Sequence, residues 1–447
     1  MIFKTYISDN EVLKFSIASG DKNPIHIDKK FARRQFFGTK IAHGTLLIEK
    51  FFNFFFKNKK YFIEEFSCNF LSPCEVNSKL NYNYKVKHNK VYCNIIREKK
   101  TICYFEFIFS KNIPKLQFEK NKRIVKKKSA IKNLNQIKKL INKKRKFIKI
   151  YNKNKNIFIN ILNNVSRVIG MEVPGRNSLF SNLNIIYRKI LNHKNNCYKV
   201  QNVVSEVKLI ETNYAYKFYK ITTNSFLLNS PINFEKILKK KYFKRNKKEE
   251  NRKKVLIIGG SRGLGLLSTY YFLSKGYIVT STYYIFDEYL KNIKKKNFTY
   301  LKINIESNTD LKKLKNISNN FDFLMLFASP KILNFSNSGF NKNYFKSMNN
   351  YYIKPLKLIL QNSLSNKKIF IPSTTFLNSS SNIEFAEYIE SKKIMENYLK
   401  KQSYKKCNLY FPRLPRFSTD QNLFHLKKEN IESIFKFEKY LKIYEKI

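Results

Sequence analysis

Hydrophobic positions along this 447-residue chain follow two regimes that change near residue 253. In the first, an apolar run suited to a buried helix is followed by short aromatic and β-branched segments. The polar cluster SGDKNPIHID precedes one such run, KIAHGTLLIEKFFNFFF. Beyond Lys60, YFIEEFSCNF, KLNYNYKVKH, KVYCNIIREK and KTICYFEFIFS are separated by turn-like Asn, Pro and Lys, and read as antiparallel strands. Residues 1–114 therefore predict one α+β unit. Residues 115–149, with Ile and Leu at helical spacing among Lys and Asn, read as a basic linker carrying a helix. Helix-then-strand order returns over 150–231, in FINILNNVSRVIGMEVPGRNSLFSNL, NIIYRKIL, CYKVQNVVSEVKLIE and YAYKFYKITTNSF, and a Lys-rich stretch at 232–252 reads as a second linker.

From Lys253 onward buried strands alternate with helices: VLIIGG, the helix GLGLLSTYYFLSKG, then YIVTSTYY, FTYLKINI, FDFLMLFAS, KIFIPSTT and NLYFPR with helices between most of them. That alternation predicts a doubly wound parallel sheet over 253–447, although roughly the last 20 residues carry no assignment.

The formal charge of +57 would ordinarily suggest nucleic acid or an anionic membrane as partner. Yet only 13 of the 88 basic residues are Arg, Trp is absent, and Lys is spread over the whole chain. Nucleic-acid readers favour the bidentate fork of Arg, so the charge reads as solvated surface and nucleic acid is not an expected partner. The six cysteines include no CxxC pair, so reduced thiols and no metal site are expected. MIFKTYISDN lacks the basic-then-apolar pattern of a signal peptide, and no run is long and apolar enough to span a bilayer. A cytoplasmic protein without membrane insertion is expected.

Strand VLIIGG runs into Gly259, Gly260, Ser261, Arg262, Gly263, Leu264 and Gly265, which open a helix. Glycines there allow a tight turn and close approach of a pyrophosphate to the positive end of the helix dipole. Tyr388 and Lys392 lie one helical turn apart, with Thr375 thirteen residues earlier at the end of KIFIPSTT. A lysine ammonium beside a phenol favours the phenolate and lowers a pKa that is ordinarily near ~10. Through IGGSRGLG, YIESK and PRLPRFSTD the chain resembles the short-chain dehydrogenase/reductases, ketoacyl reductases in particular, over about 170 residues. The resemblance implies that Tyr388 protonates the developing alkoxide, Lys392 holds the nicotinamide ribose and Thr375 polarises the carbonyl. The cofactor contacts implied are Gly259, Ser261, Arg262, Gly263, Leu264, Gly265, Ala328 and Lys392. Departures from the pattern are Thr for the usual Ser, Leu326-Phe327-Ala328-Ser329 for the Asn-Asn-Ala-Gly turn, and a helix asparagine placed at Asn349 or Asn350 out of clean register. YIVTSTYY ends without a carboxylate for a ribose 2′-hydroxyl, and Arg262 can pair a 2′-phosphate, so NADPH is favoured over NADH.

Asp21 and His26, five apart in a loop rich in turn formers, suit acid-base work on water, and Ile41-Ala42-His43-Gly44 opens the apolar helix, whose first N–H groups can hold a negative oxygen. SGDKNPIHIDKKFARRQFFGTKIAHGTL resembles the MaoC-like hot-dog hydratases of (R)-3-hydroxyacyl thioesters. By that resemblance Asp21 and His26 activate water or take the C2 proton, the Gly44 amide stabilises the thioester enolate, and Asn23 braces the loop. The middle unit looks like a second hot-dog copy without the dyad, where Ser166, Gly170 and Gly175 either line an acyl tunnel or pack. The expected architecture is an α+β double hot-dog region followed by an α/β Rossmann domain. The expected function is a bifunctional 3-ketoacyl reductase and 3-hydroxyacyl dehydratase of fatty-acid-like or polyketide-like synthesis, homo-oligomeric, with acyl groups carried on acyl carrier protein or coenzyme A. A single active site, or a basic scaffold or nucleic-acid-binding protein that kept the folds, remain as alternatives.

Overall fold

Ten strands from residues 1–230 join into one antiparallel sheet. They are β1 (Ile2–Ile7), β2 (Phe62–Phe70), β3 (Ser78–Lys87), β4 (Lys90–Arg97), β5 (Lys100–Ser110), β6 (Arg145–Lys146), β7 (Ser178–Tyr187), β8 (Cys197–Val204), β9 (Leu209–Tyr216) and β10 (Tyr219–Leu227), lying side by side as β1-β3-β4-β5-β2-β7-β10-β9-β8-β6. The computed structural model describes residues 1–57, 59–112, 114, 133–146, 156–189, 197–216, 218–228, 234–243, 252–332, 339–361, 366–378, 385–402, 407–417, 419 and 431–447.

Alternation builds this sheet: β9 and β10 bury every second side chain, so one face is apolar. The two apolar runs become helices Gly44–Phe56 and Ile157–Met171, which share one core with the sheet and stack Phe52 on Phe158 with ring centres 4.8 Å apart. The halves are joined through β2 and β7, where Phe66 lies opposite Ile185. Ahead of them, helix Asp9–Ser19 starts with a reciprocal Ser8–Glu11 capping box and ends at Gly20, whose φ of 71° turns the chain into the polar cluster.

Both Lys-rich stretches carry described elements, the first of them the helix expected there. Leu134–Lys138 is a capped helix and β6 pairs with β8, because Ile137 has a fully buried place in the core. The stretches 115–132 and 147–155 lie outside the described residues. Helix Phe234–Tyr242 belongs to the second unit, residues 231–447, where Leu238 joins the core.

That second unit holds a parallel sheet of β11 (Lys254–Ile258), β12 (Ile278–Tyr283), β13 (Phe298–Lys302), β14 (Phe323–Leu326), β15 (Lys368–Phe370) and, after the two-residue β16 (Ser373–Thr374), β17 (Asn408–Tyr410). Their order is β13-β12-β11-β14-β15-β17, a doubly wound sheet whose direction of growth reverses between β11 and β14. Val255 and Ile257 face one core and Leu256 and Ile258 the other, so both faces are covered. KIFIPSTT, read as one strand, splits around Pro372, which has no N–H for the ladder; β16 pairs instead with β18 (Arg413–Leu414). The unassigned end of the chain includes helix Glu438–Lys446, whose buried Tyr444 hydroxyl reaches the carbonyls of Leu324 and Lys368 at 2.9 and 2.7 Å. No described helix is long and apolar enough to cross a membrane.

Candidate functional site

The turn at Gly20 delivers Asp21, Asn23 and His26 to the wall of a cavity of about 310 Å³, which His43, Gly44, Phe70, Ser166 and Gly170 also line. Asp21 is buried and accepts two hydrogen bonds, from Asn23 N–H to Oδ1 (3.1 Å) and from Ser166 Oγ to Oδ2 (2.6 Å). Asn23 braces the loop on the second half, donating to the Ser178 carbonyl (3.2 Å) and accepting from Asn177 N–H (3.2 Å). A Cβ on Gly170 would overlap the Asp21 carboxylate, 2.7 Å from its Cγ. Helix Ile157–Met171 therefore supplies both a donor and the space the carboxylate needs. Gly175 is not among the residues lining the cavity.

His26 Nδ1 lies 2.8 Å from the Ile41 carbonyl, which can only accept, so Nδ1 carries the proton and Nε2 keeps its lone pair. Nothing in the sequence singled out His43 beyond its place beside Gly44. Its ring stacks on His26 with centres 3.7 Å apart, and its Nε2 is 3.1 Å from the Asp21 backbone carbonyl. Asp21, His26 and His43 each place one potential metal-ligating atom within 4.8 Å of the others. With two donors on the carboxylate and a carbonyl on one nitrogen of each ring, the set is arranged for handling protons. Gly44 begins helix Gly44–Phe56, whose N-cap His43 makes no side-chain cap, so the first amides remain open to an oxyanion. A Cβ there would lie 2.6 Å from the Phe70 ring, so glycine alone lets this aromatic wall close on the amide.

Burial raises the Asp21 carboxyl above the ordinary carboxylate range, against the opposing influence of His26 and the bonds from Ser166 and Asn23. Burial likewise lowers His26, and it takes His43 well below the usual imidazole range, with His26 adding to the effect. Asp21 and His26 are both pushed toward their neutral forms, so their proton affinities converge as acid-base exchange requires.

In the second unit the loops after β11 and β14 meet where the sheet changes direction. Gly259 has φ of 83° and a Cβ there would lie 2.5 Å from Ala328 N, while a Cβ on Gly265 would overlap the Gly259 carbonyl oxygen. Helix Gly263–Ser274 starts at Arg262 without a side-chain cap, leaving its N-terminus suited to a phosphate. Ser261 lies in the turn, and Leu264 packs against the core. The Arg262 guanidinium sits 4.4 Å from the Phe286 ring centre, beyond the end of β12. This cradle, where backbone approaches backbone, fits a dinucleotide pyrophosphate.

Tyr388 and Lys392 share helix Ala386–Lys400, and the expected lowering of the phenol pKa is corrected. The hydroxyl bonded to Tyr388 belongs to Thr374, because β16 ends there and Thr375 starts the 3-10 turn Thr375–Asn378. Lys392 does not lower the Tyr388 pKa: burial pushes the phenol up to about 12, with the Thr374 bond pulling the other way, and burial pulls Lys392 down to about 7. Lys392 Nζ instead donates to the Pro372 carbonyl (2.7 Å) and lies 3.8 Å from the Tyr352 ring centre, against 5.9 Å from that of Tyr388. On helix Lys342–Tyr352 the group against Lys392 is thus Tyr352; Asn349 Oδ1 is buried without a partner and no contact places Asn350 in the site.

Residues 4–103 match the family model described as MaoC like domain. A 43-residue stretch is 51% identical to the 3-hydroxybutyryl-CoA dehydratase of Methylorubrum extorquens, which is 10% of this chain and 27% of that protein. The chain thus spans about a quarter of that relative's length. Similar solved structures include a short chain dehydrogenase from Shigella flexneri complexed with NADP, 12% identical over 44% of this chain and 92% of the other, with a TM-score of 0.37. Another is a short chain dehydrogenase from Salmonella enterica serovar Typhi, 10% identical over 43% and 90%, also with a TM-score of 0.37. The N-terminal part of this chain carries a MaoC-like domain.

Proposed function

We propose that this chain is a bifunctional acyl-thioester enzyme. Residues 1–230, as a double hot-dog, interconvert (R)-3-hydroxyacyl and enoyl thioesters, and residues 231–447 reduce 3-ketoacyl thioesters with NADPH. The observation that carries the reading is the buried Asp21, held by Ser166 and Asn23, beside a His26 whose Nε2 is unprotonated, in a largely apolar cavity under the open amide of Gly44.

In hydration, one member of the Asp21–His26 pair takes a proton from water and the other delivers one to C2; dehydration reverses both transfers. The thioester oxygen, negative in the enolate, would rest on the Gly44 amide at the helix start, where the dipole favours it. The proton that one group gains from water offsets the one that the other gives to C2, so no net charge accumulates in the cavity.

In the second unit the residues that would hold NADPH are Gly259, Ser261, Arg262, Gly263, Leu264 and Gly265, with Ala328 closing the cradle and Arg262 set for a 2′-phosphate. Reduced nicotinamide, when bound, supplies hydride to the carbonyl carbon. Tyr388 holds the proton for the carbonyl oxygen, Thr374 bonds to its hydroxyl, and Lys392 is the neighbouring cation for a ribose. The two reactions are consecutive, ketone to alcohol and alcohol to enoyl, which accounts for their sharing a chain. The lysine-rich surface suits acidic carriers, whether coenzyme A or acyl carrier protein.

A second reading, in which only the hydratase site turns over, is favoured by the raised Tyr388 and the distance of Lys392 from its ring. The test of the hydratase half is loss of enoyl absorbance from crotonyl thioesters of both carriers. Wild type should hydrate at least one and His26→Ala neither; equal rates with the two proteins would reject the assignment.

A further inference from the structure

On the reductase reading, Lys392 must present its charge beside the phenol that gives up a proton. In this chain its surroundings are unusual. The ammonium is buried, donates to one backbone carbonyl, and rests 3.8 Å from the centre of the Tyr352 ring. Tyr352 closes helix Lys342–Tyr352 and is itself anchored, its hydroxyl 2.6 Å from Ser329 Oγ. Ser329 lies just beyond β14, at the end of the parallel strands where open α/β sheets bind their ligands. The Tyr352 and Tyr388 ring centres are 6.2 Å apart, so one aromatic face steadies the cation next to the other ring.

We infer that Tyr352 is a positioning residue for the reductase: its ring face holds the Lys392 ammonium beside Tyr388, and Ser329 fixes that ring. A cation over the face of a desolvated aromatic ring is favoured by the ring quadrupole, and a leucine or a methionine offers no such face. The other groups around Lys392 do not replace it. Glu396, one turn along the same helix, also favours the charged Lys392, but only at a distance, since its oxygens are tied to Arg413 by two bonds of 3.0 and 2.7 Å and to Ser373 by one of 2.5 Å. Glu387, which precedes Tyr388 on the helix, accepts from Asn341 N–H. Met395 Sδ, 3.8 Å from Nζ, carries no charge.

The inference rests on the reductase reading, and its test separates the two. In the full chain with isotope-labelled lysine, the Nζ-adjacent signal that titrates near neutrality is assigned by its loss in Lys392→Met. It is then followed in Tyr352→Phe, Tyr352→Leu, Tyr352→Met and Ser329→Ala, alongside the pH profile of 3-ketoacyl thioester reduction. Tyr352→Phe keeps the ring face and should hold the Lys392 midpoint near that of wild type. Tyr352→Leu and Tyr352→Met remove the ring face that favours the charged form alongside Glu396, and should move the midpoint and the alkaline limb of the reductase profile down by about one pH unit. Methionine, unbranched and adaptable, serves if the leucine variant does not fold, and hydratase turnover monitors the integrity of the rest of the chain. An unchanged midpoint in the leucine or methionine variant, or an equal shift in the phenylalanine variant, overturns the inference. A shifted midpoint with an unshifted reductase profile overturns it too, because the contact would then be structural alone. A wild type that titrates as described but reduces no 3-ketoacyl thioester rejects the reductase reading, and with it the catalytic role of this contact.

Discussion

Ser166 Oγ donates a 2.6 Å hydrogen bond to Asp21 Oδ2, across 145 residues of sequence. The acid-base loop belongs to the first half of the N-terminal unit and the hydroxyl to the second. The second half, which has no dyad of its own, therefore completes the site of the first. This gives the second half a task beyond burying a sheet face.

Ser166→Ala removes a donor that lowers the Asp21 pKa, so that pKa rises further. The limb of the hydratase pH profile that reports ionisation of Asp21 should move to higher pH, with the maximal rate less affected than its position. Initial rates from acid to neutral pH check this.

Gly170→Ala places a methyl group on the Asp21 carboxylate. Overpacking of this kind costs about 1–3 kcal/mol, and here it also displaces a reacting group. Hydratase turnover should fall by roughly 10²-fold or more, the scale of losing one acid-base group, while 3-ketoacyl thioester reduction is unchanged. Parallel assays of one preparation decide it.

The folded state keeps His26 and His43 neutral, both with lowered pKa. Unfolded histidine titrates near ~6.5, so their contribution to stability is present above that pH and is lost as pH falls through the folded values. Asp21 has the opposite sign: its raised pKa favours the fold below the ordinary carboxylate range, and that contribution is lost as pH rises through the folded value. Melting midpoints should drop as pH falls below about 6.5, and Asp21→Asn should melt higher than wild type at neutral pH while losing hydratase activity.

Gly259→Ala forces a side chain onto a φ of 83° and against Ala328 N. NADPH binding, followed by titration of its fluorescence, should fall at least tenfold, and hydration of enoyl thioesters should persist.

Much of this was legible in local patterns. Asp21, His26 and Gly44 lie within one short stretch, and the Gly259–Gly265 loop needs only a strand before it and a helix after it. What was not legible came from distant chain segments. Ser166 and Gly170 meet Asp21 only because β2 and β7 join the halves, and no spacing in the sequence records that. Spacing from Tyr388 points to Thr375, and only the fold shows that the neighbouring Thr374, at the end of β16, is the hydroxyl bonded to the phenol. Tyr352 had no signal at all, because an aromatic near the end of a helix ordinarily packs in a core. The Lys-rich segments hid a buried Ile137 and Leu238, since a single apolar side chain is enough to dock a short helix.

The most direct measurement follows NADPH oxidation with acetoacetyl thioesters of coenzyme A and acyl carrier protein, with products identified by mass spectrometry, in wild type, Tyr388→Phe and Asp21→Asn. Wild type should form 3-hydroxyacyl and then enoyl product, Tyr388→Phe should stop before the first, and Asp21→Asn should accumulate the 3-hydroxyacyl thioester. NADPH binding without either product, or loss of NADPH oxidation in Asp21→Asn, would contradict two independent sites acting in sequence on one acyl thioester.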